Sequence, residues 1–273
     1  MNTTTKDAKG QSHAKETTKE KIIETVNVTK SFGGHTAVNA VSLTIFDKEF
    51  KSIIGPNGAG KTTFFNLLSG QMKPTSGKIH FRGKEIHHLP PHKRTKLGIG
   101  RSFQITNVFP TLTVLENVRL AVQGKHNIHY SMFRHYRYYK HLEEEALDAL
   151  ERVNLREKSD QPASALAHGE KRKLEIAILL ALDTELLLLD EPTAGMSIDE
   201  VPQIIEVLEN IRDQRDRTIL LIEHKIDLVK HLSDSIAVLF HGKQLADGSP
   251  EEIMNNEQVQ SAYLGGLYDD AEN

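Results

Sequence analysis

Phe50-Lys-Ser-Ile-Ile54-Gly55-Pro56-Asn57-Gly58-Ala59-Gly60-Lys61-Thr62-Thr63 is the stretch on which the reading of the whole chain turns. Phe50 to Ile54 is short and apolar, as a buried strand requires, and it runs directly into a glycine-rich loop. From Lys61 to Leu68, Phe64, Phe65, Leu67 and Leu68 recur at helical spacing, and Gly70 follows as a stop. Gly55 to Thr62 fills the pattern G-x-x-x-x-G-K-[ST] completely, in the strand–loop–helix context that gives the pattern meaning. Glycines there let backbone N–H groups from Asn57 to Thr63 converge on phosphate oxygens that a side chain would keep away. The dipole of the following helix adds positive potential at its N-terminus. Lys61 is the residue to reach the outer phosphates, and Thr62 the hydroxyl to ligate Mg2+. The bland alternative, a glycine-rich turn, explains neither the strand before nor the helix after.

Moving outward, Leu186-Leu-Leu-Leu-Asp190-Glu191 reads as a strand buried on both faces that ends in two carboxylates. Asp190 is placed to hold the metal, directly or through water, and Glu191 to polarise an attacking water as general base. Ile22–Phe32 and Ala37–Ile45 read as two early strands joined at Gly33-Gly34, and Gly77–Gly83 as an edge strand. Val114 to Leu182 changes to long helical patterns. Val201–Arg212 is an amphipathic helix, and Thr218–Ile222 and Ser235–Phe240 are further strands. The alternation is that of an α/β fold.

Composition narrows the class. The chain of 273 residues has no cysteine, which excludes disulfides, cysteine-ligated metal and cysteine catalysis. Its formal net charge of -3 gives no reason to expect a nucleic-acid partner. Residues 1–21 carry almost nothing apolar and read as a disordered tail with no signal-peptide core. No run approaches the roughly 20 apolar residues needed to cross a bilayer. Work at a membrane therefore implies docking on another protein.

Gly55 to Thr63, Gln104, Leu166-Ala167-His168-Gly169-Glu170, Asp190-Glu191 and His224 stand in the order found in ATPases of ABC transporters, and the chain resembles that family over about 22–265. The resemblance implies a P-loop NTPase (RecA-like) core over 22–104 and 184–265, with an antiparallel β subdomain. It also implies a helical insert over 105–183 and a C-terminal tail over 266–273. Phe32 sits where the family stacks an aromatic on adenine; the alternative is a core phenylalanine of the first strand. Gln104 matches a glutamine that contacts Mg2+ or the water and signals to a transmembrane partner, and His224 a histidine that contacts the γ-phosphate. Ala167-His168-Gly169-Glu170 matches the end of the signature usually written Leu-Ser-Gly-Gly-Gln, ahead of a helix read as Lys171–Leu182. In the family that signature faces the γ-phosphate bound to a second ATPase subunit, which implies a head-to-tail pair. Ala167 lacks the family's hydroxyl, His168 replaces a glycine, and Ser197 stands where many relatives carry aspartate; backbone groups are expected to serve in place of the missing hydroxyl.

Gly98–Gln104, Val108–Val118, Leu174–Ala177, Asp190–Met196, Ile222–Leu228 and Tyr263-Leu-Gly265 resemble the ATPases of branched-chain amino acid importers, with urea and short-amide importers as near relatives. The resemblance implies an ATP- and Mg2+-dependent ATPase on the cytoplasmic face of the membrane. Its partners would be two permease subunits, a second ATPase and, indirectly, an extracytoplasmic binding protein. Two alternatives stand beside it, a soluble ABC ATPase acting outside transport and a nucleotide-binding regulator without turnover. The basic, aromatic 124–141 stretch reads either as a solvated helix or as a surface near anionic headgroups.

Overall fold

The computed structural model describes residues 19–102, 108–126 and 136–262, with backbone alone for 136–139. The chain opens with β1 (Lys21–Phe32), β2 (His35–Val41) and β3 (Thr44–Phe46), then β4 (Phe50–Ile54) and α1 (Lys61–Ser69). Next come β5 (Ser76–Phe81), the two-residue β6 (Lys84–Glu85), α2 (Pro91–Lys96) and β7 (Ile99–Arg101). A run of helices follows, α3 (Val114–Lys125), α4 (Tyr136–Glu151) and α5 (His168–Ala181). The chain then alternates β8 (Leu186–Asp190), α6 (Val201–Gln214), β9 (Thr218–Ile222), α7 (Ile226–Leu232) and β10 (Ser235–Phe240). β11 (Lys243–Gly248) and α8 (Pro250–Met254) complete these elements.

The strands form two sheets. The larger has the order β11-β10-β4-β9-β8-β7, parallel from β10 to β7 with β11 antiparallel at one edge. The smaller is antiparallel, β2-β1-β5-β6, with β3 also on β1. The unbroken leucines of β8 follow from the sheet's position between two layers. Leu187 and Leu189, with Ile219 and Leu221 of β9, pack against the helices α3 to α6. Leu186 and Leu188, with Leu220 and Ile222, pack against α1 and the antiparallel sheet. All eight side chains are buried.

The structure refines several sequence expectations. The second early strand breaks into β2 and β3, and opposite the break β1 is irregular: Asn27 has a φ of 47° and the β1–β5 register shifts between Val26 and Thr29. Thr25 then holds the break, its Oγ1 accepting from Leu43 N–H at 2.7 Å. β5 is not an edge strand, since β6 pairs outside it. Lys21, the last residue of the expected tail, already belongs to β1. The helix expected from Lys171 begins at His168, with Ala167 as its N-cap. Among the described residues, no helix is long and apolar enough to cross a membrane.

Leu220→Ala is expected to cost about 2–5 kcal/mol, by lost transfer energy and the cavity left behind. Ile198→Ala, at a side chain 90% exposed, is expected to change stability by less than about 0.5 kcal/mol. Denaturant unfolding midpoints of the two variants check the contrast.

Candidate functional site

β4, β9 and β8 are consecutive neighbours in the parallel sheet and end at one level, since Ile53 pairs with Ile222 and Ile222 with Asp190. Three chain segments therefore leave the sheet side by side at its carboxyl edge: Gly55 to Gly60, Glu223-His224 and Glu191. That edge is where parallel α/β sheets bind ligands. The loop after β4 is built on glycine for packing as well as approach. A Cβ on Gly55 would lie 2.1 Å from the Leu239 carbonyl oxygen, and one on Gly60 2.3 Å from that of Ala37. α1 starts at Lys61 with no side-chain cap, leaving its first N–H groups for an outside acceptor. Lys61 Nζ lies against the Gly55 and Pro56 carbonyl oxygens at 2.7 and 3.0 Å. Burial lowers its pKa, opposed by the Glu191 and Asp190 carboxylates.

Asp190 has no solvent exposure. Its Oδ2 accepts from Arg101 Nη2 at 2.9 Å, and its Oδ1 is buried without a hydrogen-bond partner. Burial pushes the carboxyl above its ordinary pKa while Arg101 pulls it down. An orphaned carboxylate oxygen beside an uncapped phosphate loop fits a cation or its bound water, so the residues present suit Mg2+ with Thr62 and Asp190 as holders. Arg101 also donates to Asn66 Oδ1 at 2.6 Å and Ser69 Oγ at 3.0 Å, both on α1. The same guanidinium thus ties the Asp190 carboxylate to the phosphate-loop helix.

Glu191 follows with a positive φ of 48°, a left-handed turn that carries its side chain off the sheet. Its Oε1 lies 2.7 Å from His224 Nε2. Behind the pair, buried Glu223 braces both sides: its Oε1 accepts from Thr193 N–H and Oγ1–H at 3.1 and 2.6 Å, its Oε2 from His224 N–H at 3.1 Å. Phe32 is 46% exposed at the end of β1, so it is not a core residue, and Lys30 Nζ lies 5.2 Å from its ring centroid.

The segment Ala167 to Glu170 forms the N-cap and first turn of α5. Ala167 supplies no capping oxygen, but Glu170 accepts from Ala167 N–H at 3.1 Å and is ion-paired to Lys158. Arg172, on the next turn, donates to the backbone oxygens of Asp190 and Glu191 at 3.0 and 3.1 Å. The end of β8 is thereby fastened to the helical layer.

The structure brings together Asn57 to Thr63, Asp190, Glu191 and His224, and leaves Phe32 exposed. Gln104 and Tyr263 to Gly265 lie outside the described residues, as do residues 127–135 of the 124–141 stretch. Sequence reasoning missed Arg101, Arg172, Glu200 and Glu223. Each acts through a tertiary partner well away in sequence; Arg101 and Glu223 fall inside the quoted Gly98–Gln104 and Ile222–Leu228 runs, but nothing local gives either a role.

Comparison with known proteins gives concordant matches. The family model described as "ABC transporter" matches residues 38–194, and that described as "Branched-chain amino acid ATP-binding cassette transporter" matches 243–269. The high-affinity branched-chain amino acid transport ATP-binding protein BraF of Pseudomonas aeruginosa is 41% identical over 251 residues, covering 89% of this chain and 98% of that protein. LivG of Salmonella typhimurium, with the same description, is 43% identical over 240 residues, covering 86% and 94%. Among solved structures, the ADP conformation of an ATP-binding cassette of an ABC transporter superposes with a TM-score of 0.76 at 28% identity, covering 90% of this chain and 99% of that one. A dimeric post-hydrolysis cassette bound to ADP and Pi gives 0.71 at 27%, covering 84% and 99%.

Arg101→Met leaves a buried carboxylate without its counter-charge and is expected to lower stability by about 3–5 kcal/mol. Adding Asp190→Asn should recover much of that loss, so the two changes are strongly non-additive. A double-mutant cycle on unfolding free energies measures the coupling; additive effects would contradict the role given to the pair.

Proposed function

The chain belongs to the family of ABC transporter ATP-binding subunits, ATPases of the cassette fold, and from that premise we propose that it drives an importer of branched-chain amino acids or a closely related small amino acid or amide. The observation that carries the catalytic reading is the 2.7 Å contact between His224 and Glu191 beside the phosphate loop. Lys61 and the loop N–H groups from Asn57 to Thr63 bind the phosphates, and Phe32 offers a flat exposed ring to the adenine. Mg2+, held by Thr62, Asp190 and by family resemblance Gln104, would offset charge on the phosphate oxygens. Glu191 orients the attacking water and takes its proton, and His224 fixes the direction of that carboxylate.

A phosphate loop and a signature turn in one chain imply two composite sites in a head-to-tail pair. The first turn of α5, His168 to Glu170, would meet the γ-phosphate bound by a second ATPase subunit, through backbone N–H groups in place of the missing hydroxyl at Ala167. ATP-driven closure of the pair would then draw two permease subunits together at the cytoplasmic face of the membrane, with an extracytoplasmic binding protein delivering the cargo. The transport functions named for the relatives at 41% and 43% identity favour this reading over a soluble ATPase acting outside transport.

Glu191→Gln is expected to reduce ATP turnover at least about 100-fold while ATP still binds, as loss of a general base does. Lys61→Ala should weaken nucleotide binding by roughly 10- to 100-fold, the worth of charge-assisted hydrogen bonds. Turnover by Glu191→Gln at the wild-type rate would refute the base assignment. Gentle solubilisation of native membranes and capture of the tagged chain should recover two hydrophobic permeases. Recovery as a soluble species without membrane companions would refute the importer reading and leave the ATPase chemistry intact.

A further inference from the structure

The segment between β8 and α6 folds back on the start of α5 through one side chain. Glu200 Oε1 accepts from Gly169 N–H at 3.1 Å. Its Oε2 accepts from Ser197 N–H at 3.0 Å and from the Ser197 hydroxyl at 3.1 Å. The seat on α5 is shaped for it: a Cβ on Gly169 would stand 3.3 Å from Glu200 Oε1 and force the carboxylate to give way. Backbone and hydroxyl donors hold Glu200, with a weaker electrostatic attraction from His168 on the same turn of α5. Those bonds draw its carboxyl below the ordinary range, Ser197 and Gly169 N–H groups first. A carboxylate thus lies on the amide at the first turn of a 14-residue helix, at the N-terminus that the proposed function assigns to a partner's phosphate.

We propose that Glu200 is an internal stand-in for the γ-phosphate, occupying the Gly169 N–H in the open subunit and leaving when an ATP-loaded partner brings its own anion to that amide. The inference rests on the paired-ATPase reading above. Two anions compete for one donor, and the incoming phosphate carries more charge than the carboxylate. ADP brings no γ-phosphate and leaves Glu200 in place, so the residue sharpens the discrimination between the two nucleotides. Because the other carboxylate oxygen holds Ser197, ejection also releases the Ser197 N–H and hydroxyl. Glu200 is accordingly a positioning residue that acts through Gly169 and Ser197.

The test measures the ATP concentration for half-maximal closure in the transporter purified with its companion subunits, in the Glu191→Gln background. This chain has no native cysteine, so Glu251→Cys gives one labelling position within the chain, and closure is read from that label in a complex whose companion subunits carry no reactive thiol. Glu200→Gln replaces a charge-assisted bond by a neutral one and is expected to lower the threshold roughly five- to tenfold. Glu200→Asp, one methylene short of Gly169, should lower it as well and covers the case in which the first variant folds poorly. A brace with no competing role predicts the opposite sign. An unchanged or raised threshold in folded Glu200→Gln and Glu200→Asp overturns the displacement while the paired reading stands. Failure of Glu191→Gln itself to close at any ATP concentration overturns the paired reading and the displacement with it.

Discussion

Asp190 puts a carboxylate where water does not reach, and the fold around it is arranged by the need to compensate that charge. Desolvation alone would drive such a group to bind a proton. Arg101 answers from the neighbouring strand, 2.9 Å away and itself nearly buried. The answer is partial, because only one carboxylate oxygen is satisfied and the other has no partner within the described residues. A half-compensated carboxylate is a poor structural element and a good cation ligand. The same guanidinium grips α1 through Asn66 and Ser69, so the carboxylate and the phosphate loop keep a fixed relation without touching.

Register does the rest of the assembly. A parallel sheet brings successive strand ends to one edge whatever their order along the chain. Here β9 lies between the phosphate-loop strand and β8, which sets His224 between the loop and Glu191. Glu223, one residue earlier, points the other way and ties the 192–193 turn to the His224 backbone. Two adjacent residues at a strand end thus divide the work, the buried one bracing the turn and the exposed one reaching the carboxylate above it.

The parts legible in sequence were those whose meaning is local. A glycine loop between strand and helix, an apolar run ending in two carboxylates and a histidine after a buried strand each declare themselves within about ten residues. The α/β alternation followed from the same local periods. Arg101, Arg172, Glu200 and Glu223 were illegible because each gains its role from a partner brought up by the sheet or by helix packing. Arginine and glutamate in isolation read as solvated surface. The start of α5 was placed three residues late for a related reason: Ala167 gives no cap signal, and the bond that secures the turn comes back from Glu170.

The departures at Ala167 and Ser197 are better understood together than one at a time. The first removes a hydroxyl from the turn of α5, and the second puts one on the segment that packs against that turn. Glu200 joins them, with one oxygen on Gly169 and the other on the Ser197 hydroxyl. An aspartate at position 197 would set a second carboxylate against Glu200 and repel it, whereas serine donates to it. Ser197 is therefore matched to Glu200, and Glu200 to an α5 turn whose Ala167 offers no oxygen of its own. In the proposed displacement, the link between the two segments runs through a neutral hydroxyl and a single carboxylate, and the response to nucleotide would follow how strongly that carboxylate is held.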